Sequence, residues 1–264
     1  MTTLIIQARM GSTRLPGKVL KKIGGKTLLE ILIERVGRAD SIDKIVIATT
    51  DKAEDKKIVD LAKKLGLDYF QGSENDVLDR YYQAAKKFKA DIVIRITGDC
   101  PLMDSEVIDR VVGYYKQNSD KFDYVSNVHP PTFPDGMDVE VFPFITLENA
   151  WKNAKLPSER EHVTAYIANH PEIFRIGNIK YEYDASSVRS PVRLTVDRQE
   201  DFEVVKRVLE NFSDKKDFGL EDIMDLARKD PEIFLYNGRH ERNEGMKKSL
   251  EEDRRFLSDG QYGV

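Results

Sequence analysis

The sequence predicts an α/β fold around a mostly parallel central sheet. Strand-like apolar runs alternate with helix-period segments four times across residues 1–118. Such alternation implies right-handed βαβ crossovers. Each of the main runs also ends in small or polar residues, at Gln7–Arg9, Thr49–Asp51 and Thr97–Asp99. Parallel sheets bind ligands beyond the carboxyl ends of their strands, so these three ends are where function is expected.

Taken in order, residues 3–8 (TLIIQA) are short, β-branched and followed by a glycine loop, as a buried strand should be. KTLLEILIERVGRA (26–39) then places Leu28, Leu29, Leu32, Arg35 and Val36 at helical spacing. DKIVIATTD (43–51) predicts a second strand, and EDKKIVDLAKKLG (54–66) an amphipathic helix closed by glycine. A short strand at 68–70 precedes a helix over 75–88, capped by Ser73 or Asn75. ADIVIRITGD (90–99) is the most strand-like run, and the helix over 105–118 has Ser105 as its natural N-cap. The second half is less regular. Strands are expected at 122–127, 137–142, 172–183 and 192–197, and helices near 146–154, 159–169, 200–211 and 220–229. PPTFPDG (130–136) is a turn-rich loop. No stretch resembles a domain linker. The organisation expected is therefore one domain over 1–239, with a regular half (1–118) and an elaborated half (119–239). Residues 240–264 form a charged tail, expected to be weakly ordered or packed on a partner subunit.

Composition narrows the classes. The 264 residues carry 42 Lys+Arg against 46 Asp+Glu, a formal charge of −4, without the basic excess of a protein that wraps nucleic acid. A single cysteine, Cys100, excludes an intramolecular disulfide framework and any zinc signature. No apolar run approaches the roughly 20 residues that span a bilayer. The N-terminus has no charged leader region, and a soluble cytoplasmic protein is expected.

The segment QARMGSTRLPGKVL (7–20) packs Arg9, Arg14 and Lys18 among glycines, a serine and a threonine. Like charges this close repel, so the loop is suited to an anion. A strand, a glycine-rich loop and a helix together aim backbone N–H groups and a helix dipole at phosphate. It is not a Walker A loop: Gly11 to Gly17 is one residue too long, and Val19 stands where a magnesium-binding hydroxyl belongs. The GxGxxG of dinucleotide-binding folds is also missing. The plain alternative is a basic surface loop.

RMGSTRLPGK resembles the nucleotide-binding loop of the cytidylyltransferases that activate acidic sugars, the acylneuraminate and 3-deoxy-manno-octulosonate CMP transferases. With GDCPL (98–102), PDGMDVEVF (134–142), EREHVT (159–164) and LTVDRQEDF (194–202), the chain more closely resembles the spore coat polysaccharide biosynthesis protein F branch. The likeness runs from residue 2 to about 211 and weakens toward 245. It implies a Rossmann-like nucleotidyltransferase fold and transfer of CMP from CTP, with Mg²⁺, to an acidic sugar such as a nonulosonic acid, in surface polysaccharide biosynthesis. It also implies that 1–118 is the nucleotide-binding half and 119–239 the half for acceptor and dimer contacts, with 130–190 in a homodimer interface.

On this reading Arg14, Lys18 and Asp99 are catalytic. Arg14 and Lys18 neutralise the departing phosphates, and the N–H groups of Gly11, Ser12 and Thr13 hold oxygens. Gln7, Ala8 and Thr49 face the base, and Arg9, Arg95 and Gly98 complete the nucleotide set. Asp99 ends its strand as a metal ligand or a turn aspartate. Asp197, which the resemblance makes the second metal ligand, is otherwise the N-cap of the helix near Glu200. Asp135 and Asp138, which compete with Asp197 for the metal role, are assigned with Glu140 to acceptor binding, and Arg160 and His162 to acceptor binding or a subunit interface. Arg95, within a buried strand, pairs with a core carboxylate or touches ligand, and Arg80 is a ligand contact or a solvated charge paired with Asp76. Cys100 is read as packing. The loop is expected to face solvent, so that Arg14, Lys18 and Asp99 can be replaced without unfolding the chain. Two other functions compete. A nucleotide-sugar-dependent glycosyltransferase would use similar groups, but the chain has no DxD motif; Asp138-Val139-Glu140 is the nearest. A non-catalytic nucleotide-binding partner in glycan assembly would have less need of a carboxylate pair.

Overall fold

A computed structural model describes residues 1–183, 188–215, 217–240, 242 and 244–258. The first strand, β1 (Thr2–Gln7), lies in the interior of a seven-stranded sheet. A small hairpin of β2 (Lys22–Ile23) and β3 (Lys26–Thr27) follows the glycine-rich loop and leads into α1 (Leu28–Val36). Thr27 starts that helix with a reciprocal cap: its Oγ1 accepts from Glu30 N at 3.1 Å, and Glu30 Oε2 accepts from Thr27 N at 2.8 Å. Then come β4 (Lys44–Thr50), α2 (Lys56–Lys64), β5 (Asp68–Gly72), α3 (Val77–Lys87), β6 (Ile92–Thr97) and α4 (Ser105–Gln117). The second half supplies β7 (Tyr124–Ser126), β8 (Glu140–Pro143), α5 (Phe144–Asn153), α6 (Pro157–Glu161), α7 (Ala165–Asn169) and β9 (Ile176–Asn178). Three helices close the described chain: α8 (Gln199–Asn211), α9 (Leu220–Lys229) and α10 (Glu244–Ser258).

The strand order is β5-β4-β1-β6-β8-β7-β9. β5, β4, β1 and β6 run parallel, β8 is antiparallel to both neighbours, and β9 is parallel to β7. The sheet is therefore mostly parallel, as its strand–helix alternation predicts. Alternation also sorts the core. Leu4 and Ile6 of β1, with Ile94 and Ile96 of β6, pack on the face covered by α1, α4 and α8. Ile5 and Val93, which point the other way, pack with Tyr81 and Leu147 under α3 and α5. Both faces of the central strands are buried, which is why these segments read as near-continuous apolar runs.

The irregular half departs from its pattern. Of the strand expected over 172–183, only Ile176–Asn178 joins the sheet. The segment over 192–197 forms no strand; a single bridge ties Asp135 to Arg193. The helix expected over 159–169 divides into α6 and α7, broken at Val163, whose φ is 24°. Two caps also differ. Asp104 rather than Ser105 caps α4, accepting from Glu106 N at 2.9 Å, and Asp76 caps α3. Residues 244–258, read from sequence as part of a weakly ordered or partner-bound tail, form a helix packed on α6 of the same chain. Among the described residues no helix is long and apolar enough to cross a membrane.

Candidate active site

The glycine-rich loop leaves β1 at Gln7 and folds back on itself. Met10 O accepts from Ser12 N at 2.9 Å and from Gly17 N at 3.0 Å. Gly17 makes the return with φ 66°, a conformation that glycine adopts without strain. Buried Asp55 ties the loop to β4: one oxygen accepts from Met10 N at 2.6 Å, the other from Thr50 N at 3.1 Å and Thr49 Oγ1 at 3.2 Å. The loop therefore sits where the strand ends of β1, β4 and β6 converge. Gly98 follows β6 so closely that a Cβ there would lie 2.8 Å from Gln7 O, so only glycine lets the two strand ends meet. Its N–H donates to that same oxygen at 2.8 Å.

Charged groups of both signs meet at this point. Lys18 Nζ donates to Asp99 Oδ2 and to Asp197 Oδ1, each at 2.8 Å. Arg14 Nη2 lies 2.9 Å from Asp197 Oδ2. Arg193 Nη2 reaches that same oxygen at 2.9 Å, while its Nε donates to Asp201 at 3.1 Å and its Nη1 to Asp135. Asp201 accepts from the backbone N–H of Asp197 and Arg198 at 2.9 Å each, and from Asn237 at 2.9 Å. The first turn of α8 is thus capped by Asp201, and the Asp197 carboxylate is left for cations. Asp99 likewise turns to Lys18, with Asp104 doing the capping.

Electrostatics follow from this packing. Burial pushes the Lys18 ammonium down, but Asp99 and Asp197 more than offset it and hold the group above its ordinary value. Burial raises Asp197, yet Lys18 and Arg14 outweigh that and hold its carboxyl far below the usual carboxylate range. Asp99 is lowered too: burial opposes the charge, Lys18 favours it more strongly, and Asp197 works against it. Both carboxylates are ionised at neutral pH. Burial, with Asp99 beside it, raises the Cys100 thiol well above its ordinary value; it stays protonated and packs against Thr97 at 3.3 Å.

A cavity of about 310 Å³ opens over this cluster. Gln7, Ala8, Arg9, Ser12, Thr13, Arg14, Lys18, Arg95, Gly98, Asp99, His162 and Asp197 all line it, as do Thr97 and Arg80. Arg80 is not a solvated helix charge: it is buried, its Nη1 donating to Ser73 O at 2.5 Å, while its expected partner Asp76 pairs with Arg160. Arg95 does both things its position allowed, lining the cavity while pairing with buried Glu140. Glu140 accepts further from Tyr124 OH and Thr164 Oγ1, both at 2.5 Å. Thr49 and Gly11 lie outside the cavity wall; Thr49 serves Asp55, and a Cβ on Gly11 would meet Glu74 at 3.2 Å. Asp135 is taken up by Arg193 and Thr195, and Asp138 by Arg242. Burial pushes the Asp138 carboxyl up to about 7 against the pull of Arg242, with Asp135 and Glu140 adding to the rise. Arg160 points away from the cavity, to Asp76 and to Trp151 O at 2.8 Å.

Sequence reasoning passed over Arg193, Arg198 and α10. Arg193 precedes Asp197 by four residues, as Arg95 precedes Asp99, and that spacing was a usable signal. Gly245, Lys248 and Ser249 of α10 form one wall of the cavity. Ser249 Oγ stands 2.9 Å from His162 Nε2 and donates to Glu161 at 2.6 Å. Burial lowers His162, although Glu161 opposes this.

A cationic glycine-rich loop facing two carboxylates, Asp99 after β6 and Asp197 before α8, on a mostly parallel sheet, fits a nucleotidyltransferase. The cytidylyltransferase family model matches residues 3–248, and the chain belongs to that family. It is 44% identical over 233 residues to an uncharacterised protein of Methanocaldococcus jannaschii, covering 88% of this chain and 93% of that one. It is 36% identical over 235 residues to the spore coat polysaccharide biosynthesis protein SpsF of Bacillus subtilis, covering 86% and 94%. Its fold superimposes on the structure of a cytidylyltransferase from Leptospira borgpetersenii with a TM-score of 0.83 at 36% identity, covering 91% and 98%. The protein is thus a nucleotidyltransferase that uses CTP.

Proposed function

We propose that the protein moves CMP from CTP to an acidic sugar acceptor, releasing pyrophosphate, as a step in making a surface polysaccharide. The observation that carries the reading is the meeting of Lys18 with Asp99 and Asp197 in one cavity, 2.8 Å from each. An acceptor oxygen attacks the α-phosphorus, the bond to the β-phosphate oxygen breaks, and pyrophosphate departs carrying the added charge. Lys18 and Arg14 meet that charge as it grows, and interactions that strengthen toward the transition state are the ones that raise kcat. Gln7, Ala8 and Thr97 line the cavity on the side of β1 and β6, and their position supports contact with the base there. The acidic acceptor rests on the resemblance and on the cationic side chains of Arg80, Arg95 and Lys248 in the wall.

The residues present fit Mg²⁺. Two hard oxygen donors converge on a single cation, Lys18, and no group of three or more candidate ligands exists among the described residues. Mg²⁺ takes only one or two carboxylates and fills its remaining positions with water and substrate phosphate oxygens. Asp99 and Asp197 would hold it, and once bound it would supply positive charge to the reacting phosphate. A homodimer is supported by Ile145 and Ile173, 66% and 46% exposed within the irregular half. Cytoplasmic location follows from the need for CTP.

Pyrophosphate release in the presence of Mg²⁺, with CTP, UTP, ATP or GTP and 3-deoxy-manno-octulosonate or N-acetylneuraminate as acceptor, tests the reading. CTP should support release with an acidic sugar and with no neutral one. Equal rates for the four nucleotides, or release with neutral sugars alone, would contradict it.

A further inference from the structure

The first turn of α10 stands at the rim of the cavity, where Gly245 joins Arg14 and Asp197 in the wall. Glu244 Oε2 accepts from Arg14 Nη1 at 3.1 Å and from Arg198 Nη2 at 2.9 Å. One carboxylate oxygen thus sits between two guanidinium groups. Arg14 belongs to the glycine-rich loop, and Arg198 immediately follows Asp197. Two guanidinium groups aimed at one oxygen form a notch suited to phosphate, whose oxygens they bind better than a lone carboxylate. All three side chains are about one-third exposed, and ion pairs that exposed are weak enough to exchange. The rest of α10 is anchored elsewhere. Buried Asp253 accepts from Ser158 N at 2.9 Å, and Ser249 holds Glu161 and His162. The helix can therefore release its first turn without leaving the domain.

We propose that Arg14 and Arg198 clamp the triphosphate tail of the nucleotide, and that Glu244 competes for that clamp as an anion carried by the chain itself. Arg198 is then a further substrate-binding residue. Glu244 and the triphosphate exclude one another, so that binding nucleotide unlatches the start of α10 and widens the cavity beside His162 for the acceptor. This rests on the nucleotide reading above. Competition of this kind lowers apparent affinity by the fraction of molecules whose clamp is filled, and removing the competitor restores it.

Calorimetric titration with inorganic tripolyphosphate and with CTP tests the clamp in the intact protein. Glu244→Gln should bind both about threefold to tenfold more tightly than wild type. Glu244→Asp, with a shorter reach to the arginines, should fall between. Arg198→Gln should bind both about tenfold more weakly, and tripolyphosphate should speed amide exchange at residues 244–249 in wild type. The ion pairs of Glu244 are one-third exposed and weak, so its variants should melt with wild type. Weaker or unchanged binding by Glu244→Gln overturns the proposal, as does unchanged binding by Arg198→Gln. These outcomes with wild type still binding CTP overturn the clamp alone. Failure of wild type to bind either ligand overturns the nucleotide reading and the clamp together.

Discussion

Lys18 shows how much of this site depends on single side chains. Its side chain is 11% exposed, and it stands between two carboxylates that would otherwise repel each other. The sequence predicts a solvent-facing loop whose charges can be removed without harm to folding. Burial changes that expectation for Lys18. Lys18→Ala should destabilise the fold by about 2 kcal/mol, the worth of a charged hydrogen bond, as well as lowering kcat; urea unfolding of the variant checks the first part. The pH dependence follows from the carboxylates. Asp197 and Asp99 are held below their unfolded values, so their contribution is complete above about pH 4 and disappears as pH falls through their folded values. The melting temperature should drop steeply below pH 4, and Asp197→Asn should flatten that limb; an unchanged slope would mean Asp197 is not held by Lys18 and Arg14. At this scale the sequence was informative where chemistry is local. The glycine loop, Asp99 and Asp197 stand out because small, cationic or acidic residues end apolar runs. The triple clasp of Arg193 on Asp135, Asp197 and Asp201 spans 66 residues of sequence and becomes visible only when the bridge at Asp135 forms.

Elements were legible wherever one period governed a whole segment. β1, β4 and β6 are buried on both faces, and α2 and α3 carry one apolar stripe each, so pattern and structure agree. The stretch VRLTVD misled because its alternation is real. Val192, Leu194 and Val196 are buried, while Arg193, Thr195 and Asp197 turn to the site. What it lacks is a ladder: Leu194 N donates to Asp135 O and Val196 N to Asp99 O, at 2.6 and 2.8 Å, joining two different segments. Period two identifies a pleated, half-buried chain, and pairing is decided by the neighbours. The C-terminal helix escaped for a different reason. Its mean burial is low, and its anchors, Ser249 and Asp253, are polar residues that no apolar stripe marks. Asp253→Ala leaves Ser158 N without its acceptor, at a cost of about 1–2 kcal/mol. Limited proteolysis should then cut within 244–258 sooner than in wild type while the rest of the chain stays resistant. Cleavage no faster than wild type would show that the helix does not depend on that bond.

At the scale of the whole molecule, three distant parts of the chain are brought to one place. The loop after β1, the end of β6 and the turn before α8 meet because β1 lies beside β6 and because Val196 pairs with Asp99. That convergence gives the family's chemistry a physical basis: cations for the departing phosphates on one side, carboxylates on the other, and a wall from the last helix. The proposed homodimer is checked by light scattering at micromolar concentration, where Ile145→Glu should turn a particle of twice the chain mass into one of the chain mass. Asp99 bears the central claim most directly, since Asp99→Asn removes one charge while keeping the shape of the side chain. Pyrophosphate release from CTP and an acidic sugar, measured with the melting temperature of the same preparation, should fall by at least about 10²-fold in Asp99→Asn, with melting changed by only a few degrees. A variant that turns over at the wild-type rate, whatever its melting temperature, would contradict the assignment of Asp99 to the reaction.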